Sequence, residues 1–229
     1  MRELFGNAEQ PNKRDKSEGK ERIDDPNRDS HARVIAARGR YFERRIKSEL
    51  ALEESLPWHF EPATAYHCFS FGDVDALTYL RAIIKQQRVE YALLSTWCMS
   101  MTDADEIAKW IERGDLGHID FYVGEIFQAS YAPVFLRLSE IVRNLGGGTG
   151  RVAIFRNHSK VMAGFGERFD FSIVSSANVN TNPRSEATVV TVDTALARFY
   201  KEEIFDNIQS FNHDFDDWEP YKLKRDEAI

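Results

Sequence analysis

The chain has 229 residues, of which 42% are hydrophobic, and carries a formal net charge of −7. This size suffices for one domain with a proper core plus a tail, and no run of 18 apolar residues predicts a membrane-spanning helix. Residues 1–48 hold 13 Lys and Arg against 9 Asp and Glu, whereas the remainder holds 17 against 28. The body is therefore acidic and lacks a broad basic footprint for nucleic acid, although the basic arm could supply some phosphate contacts.

The two cysteines, Cys68 and Cys98, do not make a disulfide framework, which favours a reducing, cytoplasmic setting. They are not spaced with histidines as zinc ligands are, so no metal site or cofactor is expected. The start, Met1-Arg2-Glu3, is charged and lacks the apolar segment of a secretory signal.

The composition divides the chain into four segments. Residues 1–30 are polar and charged, which predicts a disordered arm. Residues 31–57 are predicted to be helical, because apolar residues recur at roughly helical spacing over 33–54. The sequence leaves open whether this helix packs on the domain or mediates association. Residues 58–211 form the predicted domain, and residues 212–229 form an acidic and then mixed tail that we expect to be solvated.

Within the domain, strand and helix patterns alternate. Helices are predicted at 73–86, from the Asp103-x-x-Glu106 capping box to Gly114, from Pro133 to Leu145, and at 194–209. Strands are predicted at 91–97, 119–123, 151–162, 169–174 and 188–192. This order predicts an α/β fold in which helices flank a sheet.

Four polar residues on two of these strands could form one site. His158 and Lys160 are two residues apart and would share a face of their strand, as would Ser176 and Asn178 on the next. A turn over 164–169 that contains Gly164 and Gly166 would place the two pairs side by side, and Glu186 would begin the following strand.

Such a group of side chains suits a phosphodiester. A neutral imidazole can attack phosphorus, whereas an ammonium and an amide NH₂ can stabilise the growing charge on the phosphate oxygens. A carboxylate can fix the tautomer of a histidine. No metal is needed for this chemistry.

The segment HSKVMAGFGERFDFSIVSSANVN with Glu186 resembles the His-x-Lys, Ser-x-Asn and Glu motifs of the phospholipase D superfamily. The pattern over roughly residues 60–210 resembles one half of that fold. The resemblance implies that His158 either forms a phosphohistidine or protonates the leaving group. It also implies that Lys160 and Asn178 bind phosphate, Ser176 supports the phosphate site, and Glu186 orients a histidine.

Three departures from the family pattern stand out. Phe165 occupies the position of a motif aspartate, the hairpin loop is about three residues longer than usual, and Ser175 replaces a glycine. Since the family uses two histidines per site and this chain has one motif, the resemblance implies a homodimer with the site across its two-fold axis. Small bacterial nucleases of the superfamily are built in that way.

The sequence thus predicts a metal-independent phosphodiesterase with nucleic acid as its substrate. The first alternative is a catalytically silent interaction protein, motivated by the missing aspartate, in which the arm and the 33–54 helix are the working parts. The second is a phospholipid-cleaving enzyme, which predicts an apolar cleft beside His158. The sequence does not indicate what the arm, residues 1–30, would bind.

Overall fold

A computed structural model describes residues 50, 52, 55–56, 59–72, 74–180 and 184–226. The predicted arm (1–30) and nearly all of the predicted helical segment (31–57) lie outside these ranges. The described strands are β1 (Thr64–Ser70), β2 (Val89–Thr96), β3 (Leu116–Gly124), β4 (Val152–Phe155), β5 (Val161–Gly166), β6 (Asp170–Ser175) and β7 (Glu186–Val192). The α-helices are α1 (Ala76–Ile84), α2 (Met101–Glu112), α3 (Ala132–Asn144) and α4 (Thr194–Arg198).

The strands form one open mixed sheet in the order β1-β7-β6-β5-β2-β3-β4. β2, β3 and β4 run parallel to each other, whereas β5, β6, β7 and β1 pair antiparallel with their neighbours. The prediction of an α/β sheet flanked by helices is confirmed. In the described part of the chain, no helix combines the length and the apolar character needed to cross a bilayer.

Each face of the sheet carries its own core, because side chains alternate along each strand. On one face, Ala92 and Leu94 of β2 pack with apolar residues of α1, α2 and α3. On the other face, Tyr91 and Leu93 pack with Ala197 of α4 and with residues that follow it. Removing this apolar surface from water stabilises the fold by about 25 cal/mol per Å².

Several helix ends follow from local sequence. Asp75 caps α1, since its carboxylate accepts from Thr78 N at 2.9 Å. Ser100 caps α2, and its hydroxyl accepts from Asp103 N at 3.2 Å. The capping box therefore lies three residues earlier than predicted. Gly114, at φ +79°, follows the end of α2, as predicted.

The predicted strand over 151–162 is two strands separated by a connection, residues 156–160. β4 is an edge strand that pairs with β3, whereas β5 pairs with β2 and β6. The connection therefore crosses the ends of β3 and β2. His158 and Lys160 lie in this connection and not on a strand, which corrects the sequence-based placement.

The predicted turn over 164–169 is also shorter in the structure, because Gly164 and Gly166 belong to β5. An ideal Cβ on Gly164 would lie 2.4 Å from the ring of Phe171, and one on Gly166 would lie 2.3 Å from the amide of Gln87. These glycines allow close packing inside the sheet and do not supply the turn.

The last helix differs from the prediction as well. α4 ends at Arg198, a π-helical segment continues over Phe199–Ile204, and a 3₁₀ turn follows over Phe205–Asn207. The strand β1 was not predicted, although its residues alternate between the core and solvent.

The segment after Phe211, expected to be a solvated tail, packs against the domain over its described residues. The guanidinium of Arg151 lies 3.6 Å from the ring centroid of Trp218. The ring of Tyr221 lies 4.3 Å from that of His118, and Leu223 is buried in the second core. Aromatic and cation–π contacts of this kind hold the segment on the domain.

Candidate active site

The five predicted site residues lie at one end of the strands, which we call the site end of the sheet. β6 ends there and β5 and β7 begin there, because β6 is antiparallel to both. Ser175 N donates to Lys160 O at 3.0 Å, which joins the end of β6 to the start of β5. Ser176 and Asn178 follow β6 and do not lie on it, which corrects the prediction that they share a face of that strand. Glu186 is the first residue of β7, as expected.

Asn157 fixes the connection that carries His158 and Lys160. Its buried amide donates to Tyr122 O at 2.8 Å, Ser95 Oγ at 2.9 Å and Thr96 O at 3.3 Å. Its Oδ1 accepts from the backbone and the hydroxyl of Ser159 at 2.8 and 2.7 Å. These bonds tie the connection to the ends of β2 and β3, so the position of His158 follows from buried contacts.

Lys160 folds back onto His158. Its Nζ lies 2.9 Å from His158 Nδ1 and donates to His158 O at 2.7 Å. An ammonium has no lone pair, so Nδ1 accepts this bond. Among the described residues, Lys160 alone hydrogen-bonds the His158 ring, and that ring is exposed to solvent.

The pKa of Lys160 reflects its half-buried position at the site end of the sheet. Partial burial lowers the pKa of Lys160, while the nearby Cys98 and Glu186 oppose this shift. The carboxylate of Glu186 therefore favours the charged form of Lys160. Burial likewise raises the pKa of the Cys98 thiol.

Glu186 is buried, with 8% of its surface exposed, and its carboxylate accepts a hydrogen bond from Ser176 Oγ. The hydroxyl of Ser176 accepts in turn from Ala187 N at 3.0 Å. The structure therefore brings Ser176 and Glu186 together. In the same chain, the bond to His158 comes from Lys160 and not from Glu186.

The side-chain oxygen of Asn178 is held by two hydrogen bonds. Its Oδ1 accepts from Trp97 N at 3.3 Å and from Thr96 Oγ1 at 3.5 Å. Its NH₂ group has no hydrogen-bond partner within the described ranges, and the side chain is only half-buried. The amide is thus oriented with its donor face left for another group, as binding of a phosphate oxygen would require.

Two neighbours of the site were not identified as functional from the sequence. Asn157 lies in the polar run Arg156 to Lys160, so nothing in the sequence distinguishes it from its neighbours except that it precedes His158. The ring of Trp97 lies 5.5 Å, centroid to centroid, from that of His158. Nothing in the linear pattern indicates this contact, because the two residues are distant in sequence. Among residues 59–72, 74–180 and 184–226, no three His, Cys, Asp or Glu side chains form a group that could hold a metal ion.

Comparisons with known proteins give a structural likeness only. No family model matches the chain, and no curated protein matches it. Three solved structures are similar to it: phosphatidylserine synthase from Haemophilus influenzae Rd KW20, NucT from Helicobacter pylori, and polyphosphate kinase from Porphyromonas gingivalis.

These likenesses are distant. The synthase is 14% identical with a TM-score of 0.46, and the match covers 61% of this chain and 37% of the synthase. NucT is 16% identical with a TM-score of 0.41, and the match covers 62% of this chain and 94% of NucT. The kinase is 18% identical with a TM-score of 0.42, and the match covers 80% of this chain and 30% of the kinase.

All three proteins are phospholipase D superfamily members, the family that the motifs of this chain resemble. Since every TM-score lies below 0.5, these likenesses support no functional conclusion. A function has to be inferred from the side chains at the site end of the sheet.

Proposed function

We propose that this chain is a metal-independent phosphodiesterase, most specifically a nuclease, that acts as a homodimer through a phosphohistidine intermediate. The observation that supports this proposal best is the arrangement of hydrogen-bond donors at the site end of the sheet. The ammonium of Lys160 contacts the imidazole of His158, and Asn178 is held with its NH₂ group left to donate. An imidazole with an ammonium beside it and an amide donor at the same end of the sheet suits attack on phosphorus.

The proposed reaction has two steps. In the first, an unprotonated nitrogen of one His158 attacks phosphorus, and the bond from phosphorus to the leaving oxygen breaks. That oxygen takes a proton from His158 of the second copy. In the second step, water attacks phosphorus, the phosphorus–nitrogen bond breaks, and the second histidine takes a proton from the water. One histidine thus serves as nucleophile and the other as acid and then base.

The other side chains bind and orient the substrate. Lys160 and Asn178 donate to the non-bridging oxygens, so Lys160 exchanges its bond to His158 for a bond to phosphate. Glu186 opposes the effect of burial on the pKa of Lys160 and so favours the charged ammonium. Ser176 holds the Glu186 carboxylate in place and supports the phosphate site. The orientation of a histidine by Glu186 stays a prediction, and in a dimer it would apply across the two-fold axis.

The direct test assays wild type and His158→Ala on DNA, RNA and a small phosphodiester, all in EDTA. We expect wild type to cleave at least one substrate and His158→Ala to lose at least about 10³-fold in rate, because the nucleophile is gone. His213→Ala is the matched control, since His213 is exposed and bonds only Asp216 among the described residues. A rate that survives in His158→Ala would show that cleavage does not depend on His158 and would contradict the proposal. No cleavage of any of these substrates by wild type would support the silent interaction protein.

The dimer is tested separately by sedimentation and by mixing. An active protein that sediments as a strict monomer would exclude the composite site. Heterodimers of His158→Ala with wild type should lack activity, because each site needs both histidines. Cleavage of phospholipid vesicles without cleavage of nucleic acid would favour the phospholipid-cleaving alternative. A cytoplasmic setting stays a prediction from cysteine usage.

A further inference from the structure

An exposed tryptophan lies directly beside the proposed nucleophile. Trp97 follows β2, and its ring centroid lies 5.5 Å from that of His158 with the two planes inclined by 46°. The residue is 37% exposed, which is unusual for a large aromatic side chain that has a core available on both faces of the sheet. A part of this indole is therefore open to a molecule bound at His158.

The indole is held in place by its surroundings. Trp97 N donates to Asn178 Oδ1, so the same residue that we assign to phosphate binding also fixes the backbone of Trp97. The ring packs over Gly124 at the end of β3, where an ideal Cβ would lie 2.8 Å from Trp97 Cδ1. A ring that is fixed before ligand binding loses little freedom when it stacks on a ligand.

Aromatic rings also flank the opposite side of the site. Ser70 pairs with Glu186, and the adjacent Phe69 and Phe71 are 65% and 49% exposed. Their ring centroids are 5.3 Å apart. The phosphate-binding groups therefore lie between Trp97 after β2 and a phenylalanine pair at the end of β1, in a row across the site end of the sheet.

We propose that Trp97 stacks on the base next to the scissile phosphate, so that the substrate is a single-stranded nucleic acid. This inference rests on the proposed function and deepens it. Bases of a single strand are free to stack on protein rings, whereas bases of a duplex are already stacked and paired. The acidic body agrees with this choice, because a single strand depends less on phosphate neutralisation than a duplex does.

The test separates stacking from catalysis by measuring binding in the inactive His158→Ala background. A labelled single-stranded oligonucleotide is titrated by anisotropy, with and without the additional Trp97→Ala change. We expect Trp97→Ala to weaken binding by about 5- to 100-fold, and Trp97→Phe to restore most of the affinity. Phe199→Ala, at a 40% exposed aromatic residue in the segment after α4, should leave binding unchanged.

An abasic oligonucleotide of the same length distinguishes stacking from a general loss of structure. Its affinity should be insensitive to Trp97→Ala, because the base that the indole would contact is absent. An equal effect on intact and abasic strands, or tighter binding of a matched duplex, would overturn the inference. Cleavage of phospholipid vesicles alone by wild type would overturn it as well. Absence of cleavage together with base-dependent binding would refute the proposed reaction and leave the stacking role of Trp97 supported.

Discussion

Replacement of Asn157 by Asp tests whether buried contacts position His158. The change preserves side-chain volume but converts the NH₂ group into an oxygen that cannot donate. In the structure this group donates to two carbonyls, Tyr122 O at 2.8 Å and Thr96 O at 3.3 Å, and to Ser95 Oγ at 2.9 Å. The new oxygen would face both carbonyls, so two attractive contacts become repulsive.

The size of the effect follows from these bonds. Each lost bond is worth about 0.5–1.5 kcal/mol, and a buried carbonyl left without a donor costs about 1–3 kcal/mol. We therefore expect Asn157→Asp to lower the free energy of unfolding by about 2–4 kcal/mol. A domain of ordinary stability, about 5–15 kcal/mol, would stay folded. The connection should shift, and kcat/KM should fall by about 10- to 100-fold because His158 is misplaced.

The assay combines urea unfolding with steady-state kinetics under conditions in which the variant is fully folded. Asn207→Asp is the matched control, because Asn207 is exposed and its amide donates to Glu202 O and Glu203 O at 2.8 and 3.3 Å. It should change the free energy of unfolding by less than about 1 kcal/mol. An Asn157→Asp protein within about 0.5 kcal/mol of wild type and with unchanged kinetics would refute the positioning role.

Three further predictions concern charge, space and buried polarity. Because burial lowers the pKa of Lys160 from 10.5, activity should decline on the alkaline side below that pH. Lys160→Arg should move this limb upward in a pH profile of kcat/KM, and an unmoved limb would exclude Lys160 as its cause. An ideal Cβ on Gly124 would lie 2.8 Å from Trp97 Cδ1 and 3.1 Å from Asn157 O, so Gly124→Ala should displace the indole and weaken binding of single strands more than of abasic strands; unchanged binding would contradict this packing. Asp120→Ala should lower the free energy of unfolding by about 2–4 kcal/mol, because the buried Tyr91 hydroxyl and Arg151 N lose their acceptors at 2.8 and 2.9 Å; urea unfolding that matches wild type would refute this.

The fold class was predictable because it depends on local periodicity. The apolar spacing of the helices, the continuous buried run at 91–96 and the alternation at 188–192 reflect which faces are buried, and these patterns are visible in the chain itself. β1 escaped prediction although its burial alternates, since its exposed positions include Ala65 and Phe69 and the run lacks polar contrast. Its place as an edge strand depends on pairing with β7, which is distant in sequence.

The residues of the candidate site could be chosen from the sequence, but their geometry could not. Glu186 begins β7 as the strand pattern indicated, whereas Ser176 and Asn178 lie after the end of β6 and not on the strand to which they were assigned. His158 and Lys160 were assigned to a continuous strand, and nothing local shows that the chain leaves the sheet after Phe155. The crossing depends on buried bonds from Asn157 to β2 and β3. The contact between Trp97 and His158 depends on the same crossing.

Phe165 lies far from the site end of the sheet, so the lack of an acid at this position leaves the charges of the site unchanged. Phe165 pairs with Asp170 near the opposite end of β5, where it is fully buried in the second core. Asp170 supplies a carboxylate on the neighbouring strand, and this group accepts from Thr194 Oγ1 at 2.8 Å and from Arg225 Nη1 at 3.0 Å. The guanidinium of Arg225 also lies 5.3 Å from the Phe165 ring. This departure from the family pattern therefore bears on how that end of the sheet is held together, whereas the proposed chemistry depends on His158 and the groups beside it.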